Sequence, residues 1–373
     1  MHAATTIAYY ATPHGFGHAV RALEVVRHLL LVDPTIRIIL VSDFPEYLIE
    51  ESVGVPLPFR RRRLDVGLVQ KDSLRFDLDA SLGALTGLQA ESERLIREEM
   101  DFFRAEEVNA IVSDVAFLPF VAASGYGIPS VGIGNFTWDW IYEAYAATDP
   151  RWRPTIQWIR ECYGKCDLFM KLPMHGDVSV CPKVEPAPLI ARRAVRDRET
   201  VRKTLGCSPE TRAYMIYFGA MELDAEAWKR IEAIRKGIFF YKGPLALDLA
   251  NSRPLDGFGL SFVEAVSAMD GVITKPGYGI VSDCLVHGIP MIYTDRGVFP
   301  EVELLVDAMK RHLPTVHLPL EEFLSGRWEP ALERLGTFPR PSGGVRSDGA
   351  AVCARRIAKL LEETPMIRLR GLQ

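Results

Sequence analysis

Short apolar runs alternate with amphipathic stretches along most of the chain, and this alternation limits the architecture more than any other feature. Thr6–Ala11 (TIAYYA) is apolar enough for a buried strand, His18–Leu31 has helical spacing, and Ile36–Ser42 (IRIILVS) is a second strand. Ala110–Val115 (AIVSDV), a helix expected over Leu118–Tyr126, and Ile128–Ile133 (IPSVGI) repeat the pattern. Strand, helix, strand at this spacing predicts a parallel α/β sheet, because parallel neighbours need a crossover helix.

After Arg151 the character changes. Pro173, Pro182, Pro186 and Pro188 mark an extended stretch between Leu172 and Pro188. A second series follows: Tyr214–Gly219, Gly237–Lys242, Gly271–Thr274, Pro290–Thr294 and Thr315–Leu318. At 373 residues the chain is long enough for two cores. The expected fold class is therefore α/β, two Rossmann-like doubly wound parallel-sheet domains over 1–180 and 181–350. Ala350–Glu363 (AAVCARRIAKLLEE) has helical apolar spacing, so a C-terminal helix over 351–373 is expected to pack back on the body.

Composition excludes some functions. Lys plus Arg is 44 against 48 Asp plus Glu, a net charge of −4, which argues against nucleic-acid partners, since phosphate contacts need a basic surface. Six cysteines without a C-x-x-C pair read as reduced thiols in a cytoplasmic protein. No signal peptide or spanning segment is evident. The one charge run, Arg60–Arg63, is either a solvated strand end or a patch for an anionic acceptor or peripheral contact with an acidic membrane.

Residues Ala11–Ala22 (ATPHGFGHAVRA) follow the first strand directly. Gly15 and Gly17 let the backbone turn and approach a ligand, and the following helix offers unpaired N–H groups. Val20 stands where a dinucleotide fingerprint needs its third glycine, and no G-K-[ST] follows. His14 and His18 lack the H-E-x-x-H context, so no metal is expected. His18 at a helix start suits a general base, against capping or packing as the alternative. Asp114, at the end of AIVSDV, can fix its tautomer as in a His–Asp dyad, or else cap the next helix.

Gly271–Asp295 (GVITKPGYGIVSDCLVHGIPMIYTD) holds the second constellation. A strand ends at Lys275, Gly277 and Gly279 make a turn, and a helix is expected to start near Ile280, ready for phosphate. Asp283, one turn into that helix, can accept ribose hydroxyls. A further glycine turn, Phe218–Gly219–Ala220, follows the first strand of this half, and together the two turns suggest a nucleotide diphosphate held between loops.

Gly15-Phe16-Gly17-His18 followed by Arg21-Ala22-Leu23-Glu24 resembles the G-x-G-H stretch of GT-B glycosyltransferases, both the plant UDP-glycosyltransferases and the N-acetylglucosaminyltransferase that makes lipid II. Lys275 to Asp283 with Gly288-Ile289-Pro290 resembles their H-C-G-W-x-S-x-x-E…G-x-P donor signature. The form TKPGYG, with Arg296…Phe299-Pro300-Glu301 downstream, is closer to the glycosyltransferase-like region of plant arabinokinase.

The resemblance implies two domains facing across a cleft and an inverting, metal-independent transfer of sugar from a nucleotide-diphosphate donor, with a UDP-sugar as the leading candidate, to an acceptor hydroxyl. It implies His18 as the base and Asp114 as its supporting carboxylate. Gly17, Gly219, Lys275, Gly277, Tyr278, Gly279, Asp283 and Glu301 would bind the donor, with no cofactor. Lys275 replaces the family histidine, and the W-x-P-Q and D/E-Q elements that read base and sugar are absent. A sugar-nucleotide epimerase and a non-catalytic sugar-nucleotide-binding module stay open as alternatives. The aromatic run Phe136, Trp138, Trp140, Tyr142 and Tyr145 is read as core or as an acceptor-stacking surface.

Overall fold

The computed structural model describes residues 5–71, 74–219, 221–235, 237–341 and 345–363. Contacts divide these into two units. The first opens with β1 (Thr6–Ala11), α1 (Phe16–Val32), β2 (Arg37–Ser42), α2 (Tyr47–Val53) and β3 (Phe59–Arg61). A small antiparallel pair, β4 (Val69–Gln70) and β5 (Phe76–Asp77), then leaves to join the second unit. The first unit resumes with α3 (Leu78–Ala105), β6 (Val108–Asp114), α4 (Leu118–Tyr126), β7 (Ser130–Gly134) and α5 (Trp138–Ala146). It continues through α6 (Arg153–Tyr163), β8 (Leu168–Lys171) and β9 (Val184–Pro186).

The second unit runs α7 (Arg198–Thr204), β10 (Ala213–Tyr217), α8 (Ala225–Glu232), β11 (Ile238–Tyr241), β12 (Ser252–Pro254), α9 (Phe262–Ala268) and β13 (Gly271–Thr274). Then come α10 (Tyr278–His287), β14 (Met291–Tyr293), α11 (Glu301–His312), β15 (Thr315–His317), α12 (Leu320–Leu324) and α13 (Glu329–Gly336). The chain ends its described part in α14 (Gly349–Glu363), which returns to the first unit and packs on α1.

All ladder pairs of the first sheet are parallel, in the order β3-β2-β1-β6-β7-β8-β9, and the second sheet, also parallel, is β12-β11-β10-β13-β14-β15. In each unit the strand order reverses beside the first strand, between β1 and β6 and between β10 and β13. That reversal opens a crevice at the carboxyl ends of the strands, the usual ligand position in such sheets.

The elements follow from the apolar pattern. Every residue of β1 is buried, and Ala19, Ala22, Leu23, Val25, Val26 and Leu29 give α1 one buried stripe. Cys353, Ala354 and Ile357 are the buried face of α14. In the second unit Ile216, Phe239, Ile273, Phe323 and Trp328 form one core cluster.

The unit boundaries differ from those the prolines suggested. Pro186 sits in β9, an edge strand, where its missing N–H interrupts no further ladder, so the first unit holds the chain through Ile190. It takes the chain up again at Asp348, and of the expected C-terminal helix residues 364–373 lie outside the described residues. No helix among the described residues is long and apolar enough to cross a membrane.

Candidate active site

In the first unit the chain leaves β1 through Thr12, Pro13 and His14 and enters α1 at Gly15. The φ of 91° at Gly15 is a left-handed conformation that favours glycine. No side chain caps the N-terminus of α1. His18, in the first turn of the helix, presents its ring toward the end of β6, where its Nδ1 lies 2.8 Å from Asp114 Oδ1. The dyad expected from the sequence therefore forms, and Asp114 does not cap α4, whose N-cap residue is Phe117.

Asp114 is fully buried and held on both oxygens. Arg21, one turn beyond His18, donates from Nε to Oδ2 and from Nη2 to Oδ1, each at 2.7 Å. Its Nη1 donates to Asn135 Oδ1 at 2.9 Å, so the end of β7 joins the same network. Burial alone would raise the carboxyl pKa, but the Arg21 charge and hydrogen bonds, with those of His18, hold it below the usual carboxylate value. Asp114 is thus ionised at neutral pH. His18 Nδ1 lies within hydrogen-bond distance of both Asp114 Oδ1 and, at 3.0 Å, Arg21 Nη2; a proton on Nδ1, donated to the ionised carboxylate, leaves Nε2 on the opposite edge as the atom that can accept one.

The turn after Asp114 is unusual. Val115 has φ 52°, a conformation that a β-branched residue adopts only when its surroundings impose it. Thr12 N–H donates to the Asp114 carbonyl at 3.2 Å, Ala116 N–H donates to it at 2.8 Å, and Ser113 Oγ donates to the Ala116 carbonyl at 2.7 Å.

Aromatic side chains wall the histidines from below. Phe136 meets His18 edge-on at 5.6 Å and Trp138 meets His14 edge-on at 5.2 Å. Phe136, Trp138, Tyr142 and Tyr145 are buried, and Trp138, Tyr142 and Trp152 stack in succession, so most of the aromatic run is core. Trp138 Nε1 donates to Asp65 Oδ2 at 2.8 Å. Asp65 is itself buried, and burial raises its pKa against the Thr12, Trp138 and His18 contributions. A side chain at Gly67 would collide with the His14 ring, its Cβ falling 2.0 Å from Nδ1.

The arginine run is not a bare basic patch. Arg60 and Arg62 both donate to Glu99, Arg62 also to Glu98, and Arg61 and Arg63 to Asp43, Arg61 reaching Glu46 as well. Glu99 is buried and also accepts from Tyr10 Oη at 2.7 Å. Neither the anionic-acceptor reading nor the membrane reading of Arg60–Arg63 gains support from this pairing.

In the second unit Lys275, Pro276 and Gly277 link β13 to α10. The helix starts at Tyr278, two residues before the expected Ile280, so Tyr278 and Gly279 lie in its first turn. Gly277 is the N-cap residue, no side chain caps the helix, and open space lies where its Cβ would be. Gly219 lies two residues past β10, the other strand of this crevice, and Ala220 lies outside the described residues.

Asp283 is less available than expected. It is 3% exposed, and Arg192 Nη2 donates to its Oδ2 at 2.6 Å. Glu301 is buried at the start of α11. Upstream of it, Arg296 lies over the Phe299 ring at 4.7 Å and the Phe76 ring at 5.1 Å, and Gly297 N–H donates to the Leu74 carbonyl at 2.7 Å. Among the described residues no three His, Cys, Asp or Glu side chains gather as metal ligands.

No protein-family model matches the chain. It is 30% identical over 375 residues to L-arabinokinase of Arabidopsis thaliana, across 97% of this chain and 34% of that protein, so it spans about a third of its relative's length. Among solved structures, the calicheamicin glycosyltransferase CalG4 matches with a TM-score of 0.64 at 14% identity, over 98% of this chain and 100% of that one. UGT2 of Phytolacca americana, complexed with UDP-2-fluoro-glucose and pterostilbene, matches with a TM-score of 0.60 at 13% identity, over 96% and 94%. These likenesses and the two strand orders together establish the fold, two tandem doubly wound parallel-sheet units of the GT-B glycosyltransferase type.

Proposed function

We propose that the chain is a glycosyltransferase that moves a sugar from a nucleotide-diphosphate donor to an acceptor hydroxyl with inversion and without a metal ion. The observation that carries this reading is the His18–Asp114 pair, set at the strand-order reversal of the first sheet with Nδ1 on the carboxylate. In the proposed reaction Nε2 takes the acceptor hydroxyl proton and Asp114 stabilises the resulting imidazolium. The oxygen attacks the anomeric carbon, the bond from that carbon to the phosphate oxygen breaks, and the nucleoside diphosphate leaves with the electron pair.

The second unit supplies the groups that would receive that charge. Lys275 and the N-terminus of α10, which no side chain caps, offer a cation and the positive end of a helix, and glycine at 277 leaves room for close approach. A UDP-sugar is the donor we favour, with Gly17, Gly219, Tyr278, Gly279, Asp283 and Glu301 completing its contacts. The UDP-sugar analogue held by Phytolacca americana UGT2, a protein of the same fold, supports that choice.

The test is incubation with UDP-sugars and a panel of hydroxyl acceptors, read by mass spectrometry for nucleoside diphosphate and glycosylated product. Transfer should fall by about 10²–10⁴-fold in His18→Ala while nucleotide binding persists. Undiminished transfer in that variant would overturn the mechanism. An isomerised sugar without acceptor would point to an epimerase, and binding without turnover to a binding module.

A further inference from the structure

At the amino-terminal end of the second sheet, Arg212 immediately precedes β10 and Asp270 immediately precedes β13. With Tyr214, Leu335, Phe338 and Arg340 they line a shallow pocket open to solvent. Lys275 lies just past the other end of the four-residue β13, about 16 Å from Asp270 at the strand rise, so the pocket is separate from the glycine turn described above.

The charge around this pocket is lopsided. Arg198 Nη2 and Arg202 Nη1 donate to Asp270 at 2.7 and 3.1 Å, and Ala213 N–H donates to it at 2.9 Å. The carboxylate is therefore already taken. Arg340 donates to the Ser267 carbonyl at 2.8 Å and, at longer range, to those of Met269 and His287. Burial and the like charges of Arg198 and Arg202 hold the Arg340 guanidinium below its ordinary pKa, and Asp270 offsets only part of this. The Arg212 guanidinium is exposed and makes no hydrogen bond or ion pair among the described residues. Four guanidiniums against one carboxylate leave a local charge of 4 − 1 = +3.

We propose that this pocket binds a small phosphate monoester, its dianion on Arg212 and Arg340 and its apolar part against Tyr214, Leu335 and Phe338. A guanidinium fork matches phosphate oxygens in pairs, and an excess of +3 suits a dianion better than a singly charged carboxylate. The proposal does not depend on the function assigned to the other end of the sheet.

The experiment is calorimetric titration of the full chain with phenyl phosphate, inorganic phosphate and benzoate at matched ionic strength. Phenyl phosphate should bind saturably at one site, tighter than inorganic phosphate or benzoate. That binding should persist in Lys275→Ala, which disarms the glycine turn, and weaken at least tenfold in Arg212→Ala and Arg212→Gln. Arg212 is a surface side chain, so both variants should fold, which circular dichroism checks. Loss in Lys275→Ala with retention in the Arg212 variants would assign the phosphate to the turn and overturn the proposal. So would benzoate binding as tightly as phenyl phosphate, or no saturable binding by the unmodified protein.

Discussion

Arg21 grips Asp114 with two parallel hydrogen bonds of 2.7 Å, one to each carboxylate oxygen, while His18 shares one of those oxygens. The carboxylate beneath the histidine is therefore shared between an imidazole and a permanent cation. Removing Arg21 would leave a fully buried anion with His18 as its remaining side-chain partner among the contacts described above. Arg21→Met should destabilise the protein by about 3–5 kcal/mol, the usual cost of breaking a buried pair from one side. Urea denaturation checks the magnitude. Arg21→Lys should recover only part of the loss, because an ammonium cannot reproduce the two-pronged contact.

Asp114→Asn removes the charge that fixes the histidine tautomer while preserving shape. Transfer should fall by orders of magnitude with no loss of nucleotide binding, measured as turnover beside a nucleotide titration. A variant with full turnover would remove Asp114 from the mechanism.

Asp65 and Asp114 should give opposite pH signatures. Asp114 has a folded-state pKa below its unfolded value, so its contribution is complete above the ordinary aspartate pKa and is lost as pH falls through the lowered one. Asp65 has a raised folded-state pKa, so its contribution is complete below the ordinary value and is lost as pH rises through the raised one. Thermal melts against pH should therefore show Asp65→Asn gaining on the unmodified protein as pH rises above the ordinary aspartate pKa. Asp114→Asn should lose most of its acid-induced fall in stability below pH 4.

Gly67→Ala places a methyl group 2.0 Å from His14 Nδ1, so the ring or the loop must move. A cost of about 1–3 kcal/mol is expected, as for overpacking elsewhere, and thermal melting measures it.

The paired arginines predict a negative result. Vesicles containing anionic lipid should fail to sediment the protein at physiological salt, and Asp43→Asn, which uncovers Arg61 and Arg63, should increase whatever weak association exists at low salt.

Strands β1, β2, β6 and β7 of the first sheet and β10, β11, β13, β14 and β15 of the second are readable because buried parallel strands are continuous apolar runs: Thr6–Ala11 and Gly271–Thr274 coincide with β1 and β13. His18 and Asp114 were readable because glycines and a strand end announce the carboxyl edge. Arg21 appeared only as part of a motif, since an arginine on an amphipathic helix looks solvated until the ends of β6 and β7 bring Asp114 and Asn135 to it. Asp65 lay outside any pattern, its role set by an indole 73 residues away in sequence. Asp283 kept its place on α10, but its partner Arg192 lies 91 residues upstream, beyond the reach of any local pattern. The long helix α3, the short strand β8 and the edge strands β3, β9 and β12 are not legible in the sequence, because short, charged or proline-containing segments carry weak periodic signals.

The return of α14 to the first unit has a consequence for biosynthesis. Helix α1 packs against a helix encoded after the whole second unit, so the first unit emerges from the ribosome lacking part of its own packing. Domains that finish as they emerge fold in turn, but here the earlier one must wait, exposed, for the later one to be made. Truncation before Asp348 should accordingly leave a first unit that aggregates or recruits chaperones, while a second unit made alone from 191 onward lacks only the short β4–β5 pair.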